Sequence, residues 1–112
     1  MAKLDIDTLI ADIGVAAKDI LKRDLASIQG FSQTQLRDLA AFSASIAASL
    51  ATGDVSEQAH KFFVKTLKEM ARHFVEVLQG LIAITIEKLI NAIIGVAVKA
   101  IETASGVALK AV

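Results

Sequence analysis

The residues best suited to chemistry lie in the middle of the chain, where a histidine follows a glutamate at a spacing used by metal proteins. Glu57 and His60 form a Glu-x-x-His pair, and Glu69, His73 and Glu76 lie further along the same predicted helix. Di-metal carboxylate bundles use this pair, but they need several ligands that converge from different helices. Because no second Glu-x-x-His pair occurs, surface ion pairs are the favoured interpretation and a di-metal bundle is an alternative.

Other reactive groups are scarce. The chain has no cysteine, which removes thiolate metal sites, disulfides and thiol nucleophiles together. The serines lie mostly among alanines without a Gly-x-Ser-x-Gly turn, and there is no glycine-rich phosphate loop. The sequence therefore predicts a protein that is not an enzyme and that uses no cofactor.

Composition and charge describe a helical protein without a nucleic-acid partner. Twelve basic and twelve acidic residues balance, and they alternate along the chain, so no face carries the positive excess that phosphates require. The chain is 54% hydrophobic but only 4% aromatic and lacks proline, which favours a single all-α domain over residues 1–112. Asp5, Asp7 and Asp12 do not suit a cleavable secretion signal, so a cytoplasmic protein is the default expectation.

Three helical segments must position these residues. Apolar residues at steps of three and four predict helices over about 5–28, 33–51 and 54–103. Ser32 with Gln35 resembles a capping box before the second helix, and Asp54 with Glu57 is the predicted cap of the third. These segments predict a bundle of three to four helices.

The third segment has one point of ambiguity at Gly80. The apolar stripe runs through this glycine without interruption, and no polar cluster surrounds it. One long helix over 54–103 is therefore favoured, roughly 75 Å in length. A tight reversal at Gly80 is the alternative, and it would give four helices of similar length.

The last part of the chain is the most apolar. On a helical wheel its large aliphatic residues span an arc of about 180°, too wide for an ordinary surface helix. Leu81 and Ile84 fall outside this arc, while Glu87 falls within it. We expect the long C-terminal helix to be covered by other copies of the chain, which makes the protein a homo-oligomer. The predicted interface consists of Ile82, Ile86, Leu89, Ile90, Ile93, Ile94 and Ile101.

A lipid surface is the alternative cover for this helix. The uncharged runs on either side of Glu87 and Lys88 are each about ten residues, half of what a membrane span requires. A lone span over residues 77–98 is near break-even on insertion scales. The leading hypothesis is a non-enzymatic helical protein that assembles or interacts through its C-terminal helix, and the alternative is a pore-forming or coat protein that associates with membranes or lipid surfaces.

Overall fold

The structure, a computed structural model, describes residues 3–53 and 55–109. These residues contain four α-helices and one short 3-10 helix, joined by turns and short connections. The helices are α1 (Ile6–Leu21), α2 (Gln33–Ala51), α3 (Glu57–Glu76) and α4 (Ala83–Ser105), and the 3-10 helix (Leu25–Ser27) lies between α1 and α2. No strand occurs in the described residues. The prediction of an all-α helical bundle is confirmed.

The helices form an antiparallel bundle in which α4 packs against each of the other three. Arg72, near the end of α3, meets Glu87, near the start of α4, so these two helices run in opposite directions. The α1–α2 connection and the α3–α4 turn lie at the same end, where the Gln79 amide donates a hydrogen bond to the Gln29 carbonyl at 2.8 Å. This end of the bundle contains the candidate functional surface.

The core lies along the facing sides of all four helices. The buried residues of α2 follow the helical repeat and include Ser43, whose hydroxyl donates to the Leu39 carbonyl at 2.9 Å. The largest side chains with almost no exposure come from every helix, and they are Leu9, Ile13, Leu36, Leu39, Ile46, Leu50, Leu67, Phe74, Val75, Leu89, Ile93 and Ile101. Burial of such side chains is the main stabilising contribution to a bundle of this size.

Side-chain caps fix the starts of the first three helices. Asp5 accepts from the amides of Asp7 and Thr8, and Ser32 accepts from the Gln35 amide at 3.1 Å. The Thr8 hydroxyl also donates to the Asp5 carboxylate, and these hydrogen bonds lower the pKa of Asp5. The predicted N-cap of α3 was Asp54, which lies outside the described residues, whereas the structure starts α3 at Glu57 and caps it with Ser56.

The predicted extent of the first helix, residues 5–28, is wrong at its C-terminal end. The helix stops at Leu21, and Lys22 takes a left-handed conformation with φ 62°. The chain then turns back so that Leu25 and Ile28 are buried beneath the end of the bundle. Burial of these two apolar side chains stabilises the turn over a further stretch of helix.

The continuous helix favoured over residues 54–103 is also wrong, and the alternative, a reversal at Gly80 that gives four helices, is confirmed. The chain reverses over residues 77–82, which we call the α3–α4 turn, and Gly80 adopts φ 83° within it. The reversal lets α4 fold back into the groove between α1, α2 and α3, so that Ile93 and Ile101 are buried within the same chain. Burial of this face outweighs the helical hydrogen bonds that a continuous helix would add at the turn.

Candidate functional site: the apolar end of the bundle

The residues with metal-ligand spacing do not assemble into a site. His60 is buried on the inner side of α3, whereas Glu57, His73 and Glu76 are exposed on its outer side. Within residues 3–53 and 55–109, no three histidine, aspartate or glutamate side chains converge as metal ligands. The di-metal alternative therefore receives no support from the geometry.

The seven predicted interface residues divide into two groups. Leu89, Ile90, Ile93 and Ile101 are buried in the chain's own core. Ile86 and Ile94 are half-buried, and Ile82 is 69% exposed. In the closed bundle, the buried group reaches a second copy only if α4 leaves its groove, whereas the second group is accessible as the chain stands. Self-association through these residues stays a prediction.

An exposed aliphatic surface surrounds the α3–α4 turn. Val77 is 47% exposed, Ile82 69% and Ile84 67%, and we call these three residues the apolar tip. No charged residue occurs between positions 77 and 86. Ile84 lies outside the apolar arc of the helical wheel, and this position is a sequence signal for its exposure. Val77 was missed because its exposure depends on α3 ending there.

The tip is attached to the bundle through the neighbouring α1–α2 connection. Leu78 is buried, and Gly30 lies so close to the turn that a Cβ on it would sit 2.0 Å from the Val77 carbonyl oxygen. Only glycine fits this approach, and its φ of 97° also favours glycine. The buried Leu78 thus anchors a turn whose flanking aliphatic side chains face water.

An ion pair joins the two helices beside the tip. The Arg72 guanidinium donates to both carboxylate oxygens of Glu87, at 3.1 and 3.3 Å, and contacts Glu76 at 3.5 Å. The hydrogen bonds to Glu87 raise the pKa of Arg72 above its ordinary value. This pairing explains why Glu87 occurs within a mostly apolar arc, since α3 brings an arginine to it.

The start of α4 is held less firmly than the starts of the other α-helices that the structure describes. Its N-cap residue, Ile82, has an extended conformation and supplies no side-chain hydrogen bond. No acidic residue lies in the first turn either. The first amides of α4 therefore lack the stabilisation that Asp5, Ser32 and Ser56 give to α1, α2 and α3.

Comparison of the chain with known proteins gives no match. No protein-family model matches the chain, and neither a curated protein nor a solved structure matches it. Across the described residues, none of the helices combines the length and the hydropathy needed to cross a membrane.

Proposed function

We propose that this chain is a non-enzymatic helical protein that acts by associating with a second copy of itself, with the apolar tip at the contact. The observation that carries the proposal is the exposure of Val77, Ile82 and Ile84 at one end of the bundle, within a stretch that has no charge. Burial of exposed aliphatic surface is the usual driving force for protein association.

The tip differs from the other exposed apolar residues. Val15 and Phe62 are 70% and 60% exposed, but neither α1 nor α3 has a second large hydrophobic residue of comparable exposure among the described residues. Scattered residues of this kind are normal on protein surfaces. Three together around one turn are a better candidate for a contact surface.

The size of the tip limits what it can do alone. Three aliphatic side chains expose on the order of a few hundred Å², comparable to the largest apolar patch of a typical monomer. A stable interface buries about 800 Å² on each partner. Contact between tips alone would therefore be weak, and a durable complex requires additional surface.

A lipid surface is the competing partner, and a second feature favours it. Phe62 is exposed next to Lys61 on the outer face of α3, and Lys65 lies one helical turn further along. An exposed aromatic ring beside lysines is typical of helices that lie on anionic membranes. Because this face also carries Glu57, Glu69 and Glu76, its positive field is partly cancelled, and we favour self-association.

The test compares two matched substitutions, Ile82→Asp and Val15→Asp, by multi-angle light scattering over a range of concentrations. Both replace a largely exposed aliphatic residue with a carboxylate, but only one lies in the tip. Aspartate is also a favoured N-cap, so Ile82→Asp should leave α4 folded. We expect it to weaken dimerisation at least about tenfold, equivalent to about 1.4 kcal/mol, while Val15→Asp leaves it within about twofold.

Two results would contradict self-association through the apolar tip. A wild-type chain whose mass stays that of a monomer up to about 1 mM, where association contributes only about 4 kcal/mol, contradicts the proposal. So does an equal effect of the two substitutions. Co-sedimentation of the wild-type monomer with anionic vesicles, lost in Phe62→Ala, would favour the lipid surface instead.

A further inference from the structure

We infer that the two copies associate by exchanging α4: the α3–α4 turn opens, α3 and α4 join into one helix, and each α4 packs into the groove of the other copy. This inference rests on the proposed self-association and specifies how the second copy is held. The joined helix would cover residues 57–105 and measure roughly 73 Å.

The apolar pattern of the sequence is compatible with a joined α3–α4 helix as well as with the closed bundle. Apolar residues continue across the turn at steps of three and four, in the order Phe74, Leu78, Ile82, Ile86, Leu89 and Ile93. This repeat is that of an uninterrupted helical stripe. The chain contains no proline that would prevent the two helices from joining.

The backbone of the turn is helical at its first residue and departs from a helix at Gly80 and Ile82. Val77 has φ −86° and ψ −7°, which lies in the right-handed helical region. Within residues 77–82, all of which the structure describes, Gly80 alone has a positive φ. Opening the turn would break no side-chain cap at the start of α4, because Ile82 supplies none. The conformational change is thus confined to a few residues.

Most contacts of the closed chain survive the exchange. α4 would meet the same faces of α1, α2 and α3, now supplied by the other copy, so Leu89, Ile93 and Ile101 stay buried. The pair between Arg72 and Glu87 would form between copies instead of within one. The hydrogen bond from Gln79 to Gln29 and the packing of the turn against Gly30 are lost, but a continuous helix supplies its own hydrogen bonds at these positions. Exchange of an identical element is for this reason a low-cost route to a dimer.

Exchange also gives the apolar tip a role. In a symmetric exchanged dimer the two joined helices lie next to each other where the turns have opened. Ile82, which lies on the same stripe as Leu78 and Ile86, would be covered at that junction by its counterpart. The large surface that a stable dimer needs is then supplied by α4 itself, which the small tip does not provide.

Two substitutions at exposed positions, one in the turn and one at the first residue of α4, shift the equilibrium in opposite directions. Gly80→Ala meets no atom within 4 Å, so its effect is conformational. It disfavours the positive φ of the closed turn and favours a helix at this position. Acting once in each chain of a dimer, it should raise the dimerisation constant about 10-fold to 100-fold.

Ala83→Pro has the reverse effect. Position 83 is exposed and is the first residue of α4, where proline is well tolerated. The preceding Ile82 has φ −82° and ψ 161°, the conformation that a following proline favours. In a joined helix the same proline would remove a hydrogen bond and clash with the Gln79 carbonyl, lowering the dimerisation constant by at least about 1,000-fold.

The experiment measures molar mass against concentration for the wild-type chain and both variants, with circular dichroism to verify folding. A dimeric wild type, a more dimeric Gly80→Ala and a monomeric Ala83→Pro are the expected results. If Ala83→Pro dimerises as well as the wild type, exchange is overturned while self-association through the intact tip stands. If the wild type is a monomer up to about 1 mM, the proposed function fails and exchange fails with it. If Ala83→Pro does not fold, Gly80→Ala decides, and an unchanged dimerisation constant overturns exchange.

Discussion

Replacing Gly30 with alanine should be among the most damaging small substitutions in this protein. The new Cβ would lie 2.0 Å from the Val77 carbonyl oxygen and 2.9 Å from its carbon. Both atoms belong to the backbone, so neither can rotate away. The α1–α2 connection and the α3–α4 turn would have to separate.

The cost has three contributions. A residue with a Cβ at φ 97° costs about 1 to 2 kcal/mol relative to glycine. Separation of the connections breaks the hydrogen bond from Gln79 to Gln29, which contributes about 1 kcal/mol. It also partly exposes Leu78 and Ile28, which are 5% and 2% exposed, at about 1 kcal/mol together. The sum is about 3 to 4 kcal/mol, a large part of the 5 to 15 kcal/mol typical of a domain.

Urea denaturation followed by circular dichroism at low micromolar concentration measures this loss. Gly106→Ala and Gly53→Ala are matched controls, because both glycines have positive φ, 73° and 76°, and open space around the Cβ position. Each control should cost only about 1 kcal/mol. If Gly30→Ala is no more destabilising than the controls, the close packing of the two connections is refuted.

Two further predictions concern the core of α4 and the cap of α1. Ile93→Ala should lower the free energy of unfolding by about 2 to 5 kcal/mol because Ile93 has no exposure. Ile84→Ala, at an exposed position, should change it by less than about 0.5 kcal/mol. Similar losses for the two variants in urea denaturation would contradict the orientation of α4. The pKa of Asp5 is lowered by its hydrogen bonds, chiefly from Thr8. Its ionised form therefore stabilises α1 fully above the ordinary pKa near 3.8, and this contribution is lost as the pH falls through the lowered pKa. Asp5→Asn keeps a capping oxygen without titrating, so its stability should depend less on pH in this acidic range; an unchanged dependence would argue against the cap.

Local signals in the sequence were sufficient for α2. Its bounds follow from the Ser32 cap before the helix and Gly53 after it, and its buried stripe follows from the helical repeat. These features depend on residues within one or two turns of each other. The end of α1 had no comparable signal, because Lys22 is an uncommon residue in the left-handed conformation.

The α3–α4 turn was not predictable from its own residues. Gly80 is compatible with a helix or a reversal, and the outcome depends on Gly30, fifty positions away, which lies against Val77. For the same reason the sequence identified Leu89, Ile93 and Ile101 as residues that need cover, but the cover we expected from it was other copies of the chain. In the structure, α1, α2 and α3 of the same chain do so. Apolarity predicts burial, whereas the identity of the neighbour is a property of the whole fold.

The arrangement of α4 against all three other helices sets an order of events during synthesis. α4 is made after α1, α2 and α3, so the core faces of these three helices stay incomplete until it has left the ribosome. Translation of its 23 residues takes about 1 to 5 s, much longer than the milliseconds in which helical bundles fold. Neighbouring nascent chains on one messenger RNA would thus each hold an open groove for seconds, and the spacing of ribosomes would influence which α4 fills it.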